Sequence, residues 1–282
     1  MSATAPPDAG TNETAGARRI GAAFEAAREA GRIALIPYVV GGYPDAATSL
    51  RIALAAIDAG ADLLEVGLPY SDPLADGATL QRASQIALRN GATLEGSLRL
   101  IEEIAAARPE TPIVPMGYAN QFLGGGDGRA AVERLARAGA AGVIVADLTP
   151  DEGEPFEAVA REHDLAVVYL VAPTTPPARR ATVAARSGGF LYCVSLVGVT
   201  GARMELPASV AELVREVTAV SPVPVGVGFG VSQPAHVRAI AAAGAGGVIV
   251  ASALVDALGD DGTGVAAMER LVRELAEATG RG

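Results

Sequence analysis

The apolar positions of this chain fall into two alternating rhythms. Short, dominantly apolar runs occupy residues 34–40, 63–66, 113–116, 143–146, 166–171, 190–194, 223–227 and 248–250. Between them, apolar residues recur every three or four positions over 46–58, 80–89, 94–107, 130–138, 152–162, 178–187, 207–220 and 234–243. Unbroken apolar runs mark strands buried on both faces, and the longer period marks amphipathic helices, so the pattern predicts parallel βα units. Helix starts are signposted as well: Thr149-Pro150-Asp151-Glu152 has the spacing of a capping box, and Ser232 precedes Pro234 in a similar manner. Eight strands, each followed by a helix, predict an α/β fold, a single closed (β/α)8 TIM barrel with extra helices and its site at the C-terminal strand ends. An open doubly wound sheet is the alternative, but the turn Val39-Val40-Gly41-Gly42-Tyr43-Pro44-Asp45 lacks the glycine spacing of a dinucleotide site.

One strand breaks its own pattern. Ala59-Gly60-Ala61-Asp62-Leu63-Leu64-Glu65-Val66 recurs in outline at residues 138–145 and 243–250, where the slot of Glu65 holds Ile144 and Ile249. Each copy reads as a helix end, a glycine that takes the left-handed stop, and a buried strand. A carboxyl in a core slot loses hydration, which raises its pKa and suits it to hold a proton near neutral pH. A structural glutamate paired with an arginine is the competing explanation for that residue taken alone. The exit loop adds Ser71, Asp72 and Asp76, stiffened by Pro69 and Pro73. It is long enough to fold back over a barrel mouth.

Composition narrows the chemistry. The 282 residues carry a net charge of −10, from 32 acidic and 22 basic side chains, with no basic run to meet nucleic acid or an anionic membrane. All of the basic side chains are arginine, which excludes a Schiff-base lysine. His163 and His236 are far apart, so a histidine metal site is not expected, and the lone Cys193 lies in an apolar stretch that reads as core. No run reaches the roughly 18 apolar residues of a membrane span. Residues 1–17, rich in Ala, Thr, Pro and Gly, read as a disordered tail rather than a signal peptide, leaving 18–282 as the catalytic barrel of a soluble, cytoplasmic protein.

Three turns rich in small residues follow late strands: Gly198-Val199-Thr200-Gly201, Gly226-Val227-Gly228-Phe229-Gly230-Val231-Ser232 and Val250-Ala251-Ser252-Ala253. Glycines admit close backbone approach, and amides opening a short helix favour an anion without a lysine. Barrels commonly hold a phosphate after strands seven and eight. Tight-turn duty alone is the alternative for each. Tyr38, Tyr118 and Tyr192 carry aromatic rings on strands that converge on the same mouth.

The run from Glu65 to Gly77, with Tyr118-Ala119-Asn120, Gly198-Val199-Thr200-Gly201 and Gly228-Phe229-Gly230-Val231-Ser232, closely resembles the tryptophan synthase alpha chain family, in register from about Arg19 to the C-terminal helix. The resemblance implies retro-aldol cleavage of indole-3-glycerol phosphate to indole and glyceraldehyde 3-phosphate, with Glu65 and Asp76 catalytic. Glu65 would protonate the departing indole carbon and help remove the glycerol hydroxyl proton, while Asp76 would hold the indole N–H. The same resemblance implies an indole pocket of Tyr38, Met116, Val171, Tyr192 and Phe229, with Tyr118 among the substrate-binding residues, and a phosphate seat on the amides of Gly201, Gly230, Ala251 and Ser252. Ala251 departs from the family's usual glycine. Thr200 would lie in a loop that closes over the substrate.

The resemblance further implies no cofactor and no metal in this chain. Pyridoxal phosphate would reside in a beta-chain partner, contacted near Asp72 and Pro73 within an alpha2beta2 tetramer that receives the indole. A stand-alone indole-3-glycerol phosphate lyase has nearly the same residues. A phosphate-sugar isomerase barrel would share the glycine turns but leaves the Glu65–Asp76 loop without a purpose, and intact Glu65 and Asp76 weigh against a non-catalytic activator.

Overall fold

The computed structural model describes residues 13–124, 126–194 and 207–280. Nine parallel strands alternate with helices: β1 (Ala34–Val40), β2 (Leu64–Gly67), β3 (Ile113–Gly117), β4 (Gly142–Val145), β5 (Ala166–Val168), β6 (Leu170–Val171), β7 (Leu191–Val194), β8 (Val225–Gly228) and β9 (Gly247–Val250). Their order is β5-β4-β3-β2-β1-β9-β8-β7-β6. Its two ends are the two halves of one chain segment: β5 pairs with β4, and β6, one residue further on, pairs with β7. The predicted fifth strand therefore closes the ring while split at Tyr169, and the barrel is eight-stranded in the sense the pattern predicts. The split has a local cause. The Tyr169 amide donates to Ser187 Oγ at 3.0 Å instead of to a neighbouring strand.

Helices α2 (Ala46–Asp58), α3 (Ala78–Arg89), α4 (Leu94–Ala107), α6 (Arg129–Arg137), α7 (Pro150–Glu162), α8 (Pro177–Arg186), α9 (Ala208–Val220) and α10 (Pro234–Ala242) match the eight amphipathic stretches. The extra helices are α1 (Ala15–Glu29), α5 (Ala119–Leu123), α11 (Ser252–Leu258) and α12 (Val265–Glu277). Residues 15–17, assigned to the tail from composition, form the first turn of α1, whose cap Thr14 accepts from the Ala17 amide at 3.0 Å. Ile20, Phe24 and Ala27 of α1 join one apolar cluster with Ala34, Ile36, Leu63, Val114, Ile144, Val168, Phe190 and Ile249, the inward residues of the strands, so α1 plugs one end of the barrel. The other buried cluster packs strands against helices.

Gly60, Gly139 and Gly244, the glycines of the threefold sequence echo, all have positive φ and stop α2, α6 and α10 as expected. The expected capping box at Thr149 does not form. Thr149 is the N-cap of α7, but its side chain makes no cap bond, and Pro150 at the first helical position has no N–H to be capped. Gln233, not Ser232, holds the N-cap position of α10, and its side chain makes no cap bond.

Candidate active site

Glu65 lies mid-strand on β2, paired with Tyr38 of β1 on one side and Val114 of β3 on the other. Leu63 on the same face belongs to the barrel interior, so alternation turns Glu65 inward, where it is 1% exposed. Neither carboxyl oxygen has a hydrogen-bond partner among the described residues. The arginine pairing that a structural role would need is absent there. Burial first, and the nearby Asp76 charge second, push its pKa well above the carboxylate range. Ile144 and Ile249 fill the equivalent slots as plain core.

The loop from 68 to 77 is held from the β3–α5 side. Leu68 donates its amide to the Met116 carbonyl at 2.7 Å, Gln121 Nε2 donates to the Pro69 carbonyl at 3.1 Å, and the Ala75 amide donates to Tyr118 Oη at 3.0 Å. Tyr70 stacks on Tyr118 with ring centroids 5.1 Å apart. Within the loop the Asp76 amide donates to the Pro73 carbonyl at 3.0 Å, and Gln81 Nε2 donates to the Asp76 carbonyl at 2.9 Å. These ties bring the partly buried Asp76 back over the mouth, close enough for its charge to be felt by Glu65, Tyr38, Tyr118 and Tyr192. Burial raises the Asp76 pKa to about 6, against a smaller downward pull from the Tyr118 hydroxyl. Gln81 and Gln121 were not singled out from sequence. The signal for Gln121 is its place three residues after Tyr118, from which its side chain accepts the Tyr118 amide at 3.0 Å and squares off the start of α5.

Tyr38, Tyr118 and Tyr192 all lie near enough to Asp76 for its charge to raise their pKa values. Phe24, Phe190 and Tyr192 form a ladder from the plug to the mouth, with centroids 5.6 and 6.2 Å apart. Met116 shares the inward face of β3 with Val114. Phe229 is buried just beyond β8. Val171 is a correction. β6 pairs Val171 with Cys193 and Leu170 with Tyr192, so Leu170 faces the interior beside Tyr192 while Val171 packs toward the helices. Gly230, at φ 62°, and the pair Ala251–Ser252, which opens α11, lie after β8 and β9. Thr200 and Gly201 lie outside the described residues. Asp72 is exposed, accepting from Ser71 Oγ at 2.6 Å, and Leu74 projects into solvent. The described residues contain no cluster of His, Cys, Asp and Glu able to hold a metal, and no helix among them is long and apolar enough to cross a membrane.

A (β/α)8 barrel with a deep carboxyl held well above the carboxylate range, a rim carboxyl raised to about 6 and no lysine fits the class of barrel enzymes that work through carboxyl groups without an imine. Comparison with known proteins sharpens this class. The family model for the tryptophan synthase alpha chain matches residues 24–280. A tryptophan synthase alpha chain of Roseiflexus castenholzii is 48% identical over 240 residues, covering 85% of this chain and 91% of that one, and one of Mycobacterium ulcerans is 43% identical over 94% and 96%. A solved tryptophan synthase of M. tuberculosis superposes with a TM-score of 0.86 at 42% identity, over 94% of this chain and 99% of that one. The chain belongs to the tryptophan synthase alpha chain family, and it is a lyase that cleaves indole-3-glycerol phosphate. The alpha chain of this family needs no cofactor; pyridoxal phosphate resides in the beta chain.

Proposed function

We propose that Glu65 is the acid–base group of the cleavage and Asp76 its electrostatic partner. Glu65 starts protonated and delivers its proton to the indole carbon that bears the glycerol chain. The ring nitrogen becomes cationic, and the Asp76 carboxylate, hydrogen-bonded to its N–H, stabilises that charge. Glu65, now a carboxylate, takes the proton of the hydroxyl on the adjoining chain carbon. The carbon–carbon bond breaks, its electrons return to the ring, and indole and glyceraldehyde 3-phosphate result with Glu65 protonated again. The observation that carries this reading is the burial of Glu65 with no hydrogen-bond partner among the described residues, in a slot that its internal counterparts fill with isoleucine.

Tyr38, Met116, Tyr118, Tyr192 and Phe229 would line the indole pocket, with Leu170 in the place first assigned to Val171. Gly201, Gly230, Ala251 and Ser252 would seat the phosphate, and the first amides of α11 support this because they have no partner within the helix. Thr200 would close over the bound substrate. A beta subunit is the partner in this reading, assembled as alpha2beta2 in the cytoplasm; the support is that relatives have been solved as tryptophan synthase, one in an aminoacrylate-bound form. Indole release by the full chain, with and without a beta chain, tests the scheme. Glu65→Gln is expected to lose at least about 1,000-fold in turnover while retaining substrate binding by calorimetry. Turnover within tenfold of the parent would remove Glu65 from the chemistry. Acceleration by the beta chain supports coupling, and fast release indifferent to it means a stand-alone lyase.

A further inference from the structure

The hydroxyl of Tyr38 has no task in this cleavage scheme, yet its position is tightly specified. Ala34 and Ile36 face the barrel interior, so the pleat of β1 turns Tyr38 inward beside its cross-strand partner Glu65. The ring leans over β2: a Cβ on Gly67 would lie 1.8 Å from Tyr38 Oη and 2.3 Å from Cζ. Gly67 follows Glu65 by two residues on the same face, roughly 7 Å up the strand. The hydroxyl thus occupies the space of a missing side chain at the next inward position of β2 after Glu65, at the start of the loop that brings Asp76.

Burial first, then the charges of Asp76 and Glu65 and the neighbouring phenols Tyr192 and Tyr118, keep this phenol protonated, an O–H donor. Glu65 has the complementary deficit. Once its proton is delivered it is a buried carboxylate, and among the described residues the charge that acts on its pKa is that of another carboxylate, Asp76. A buried carboxylate without cation or donor is strongly disfavoured. Tyr192 stands across the mouth from a different wall, over Gly228, and is the competing donor.

We infer that the Tyr38 hydroxyl donates a hydrogen bond to Glu65 while Glu65 is a carboxylate, making Tyr38 a positioning residue that acts through the catalytic acid rather than an inert wall of the indole pocket. The inference rests on Glu65 being that acid. Tyr38→Phe keeps the ring and its packing on Gly67. In the full chain with a beta chain present, kcat for indole release should fall about tenfold with KM within twofold, the loss of one hydrogen bond to a charged group. Donation to the carboxylate favours the charged form, so its removal raises the Glu65 pKa and moves the alkaline limb of the pH profile upward. An unchanged kcat and profile overturns the inference, as does a kcat loss matched by a rise in KM with the alkaline limb unmoved. A limb shift in Tyr192→Phe but not in Tyr38→Phe also overturns it, by assigning the donor to the other wall. Glu65→Gln run in parallel separates the two levels: if that variant turns over, the acid assignment itself has failed, whatever Tyr38→Phe does.

Discussion

Asp76→Asn should make the protein less active and more stable, and the stability gain should depend on pH in a defined way. The folded chain holds Asp76 near a pKa of about 6, against an ordinary value of 3.8, chiefly through burial. A carboxyl raised in the folded state favours folding while neutral. Its contribution is complete below about 3.8 and is lost as pH rises through about 6. At about 1.36 kcal/mol per pKa unit, ionised Asp76 costs the fold about 3 kcal/mol at pH 8 and about 0.5 kcal/mol at pH 4. Asparagine has no such dependence. Urea unfolding of both proteins should therefore show the variant gaining on the parent between pH 4 and pH 8 by about 2–3 kcal/mol, while turnover falls at least about 100-fold. Loss of the Asp76 charge also relieves Glu65, whose pKa it raises, and that coupling adds in the same direction. Parallel pH profiles, or a variant that loses ground as pH rises, would refute the reasoning.

Two further outcomes follow from the same structure. In the proposed scheme Asp76 meets the ring cation as a carboxylate, so kcat/KM of the parent should fall about tenfold per pH unit below about 6, measured by initial rates of indole formation. Away from the mouth, Arg186→Ala removes the guanidinium that donates to Glu157 Oε2 at 2.7 Å and strands a 4% exposed carboxyl beside Tyr169; breaking such a pair costs about 3–5 kcal/mol, so calorimetry should show Tm lower by about 10 °C with KM unchanged.

Much of the barrel was legible because each strand is a near-continuous apolar run and each helix has its own period. That same continuity hid side-chain direction. Residues 166–171 are apolar throughout, so nothing in their pattern separates inward Leu170 from outward Val171, and the choice is made by pairing with β7 and by the turn at Ser187. Short helices such as α5 and α11 span too few residues to show a period. Glu65 was legible for the opposite reason, since two internal counterparts display what the slot ordinarily holds. The raised pKa of Asp76 was not, because it depends on a loop folded back by Tyr118, Gln121 and Gln81, contacts that no local pattern encodes.

In the proposed cleavage, depth in the barrel separates the tasks of the two carboxyls. Glu65, anchored in a strand and sealed from water, meets no cation and no hydrogen-bond donor among the described residues in its resting state, and so it stores a proton. Asp76, carried on a loop at the rim, is less enclosed and has the Tyr118 hydroxyl beside it, and so it ionises near neutral pH. An arginine placed between them would lower both pKa values and remove the proton that the reaction must spend first. With no cation at the pair among the described residues, ionising either carboxyl costs more, and that cost is tolerable because the strand positions are over-determined by the packing of Ile36, Val114, Ile144 and Ile249 around them. Reactivity here comes from what the mouth withholds from its acids as much as from what it supplies.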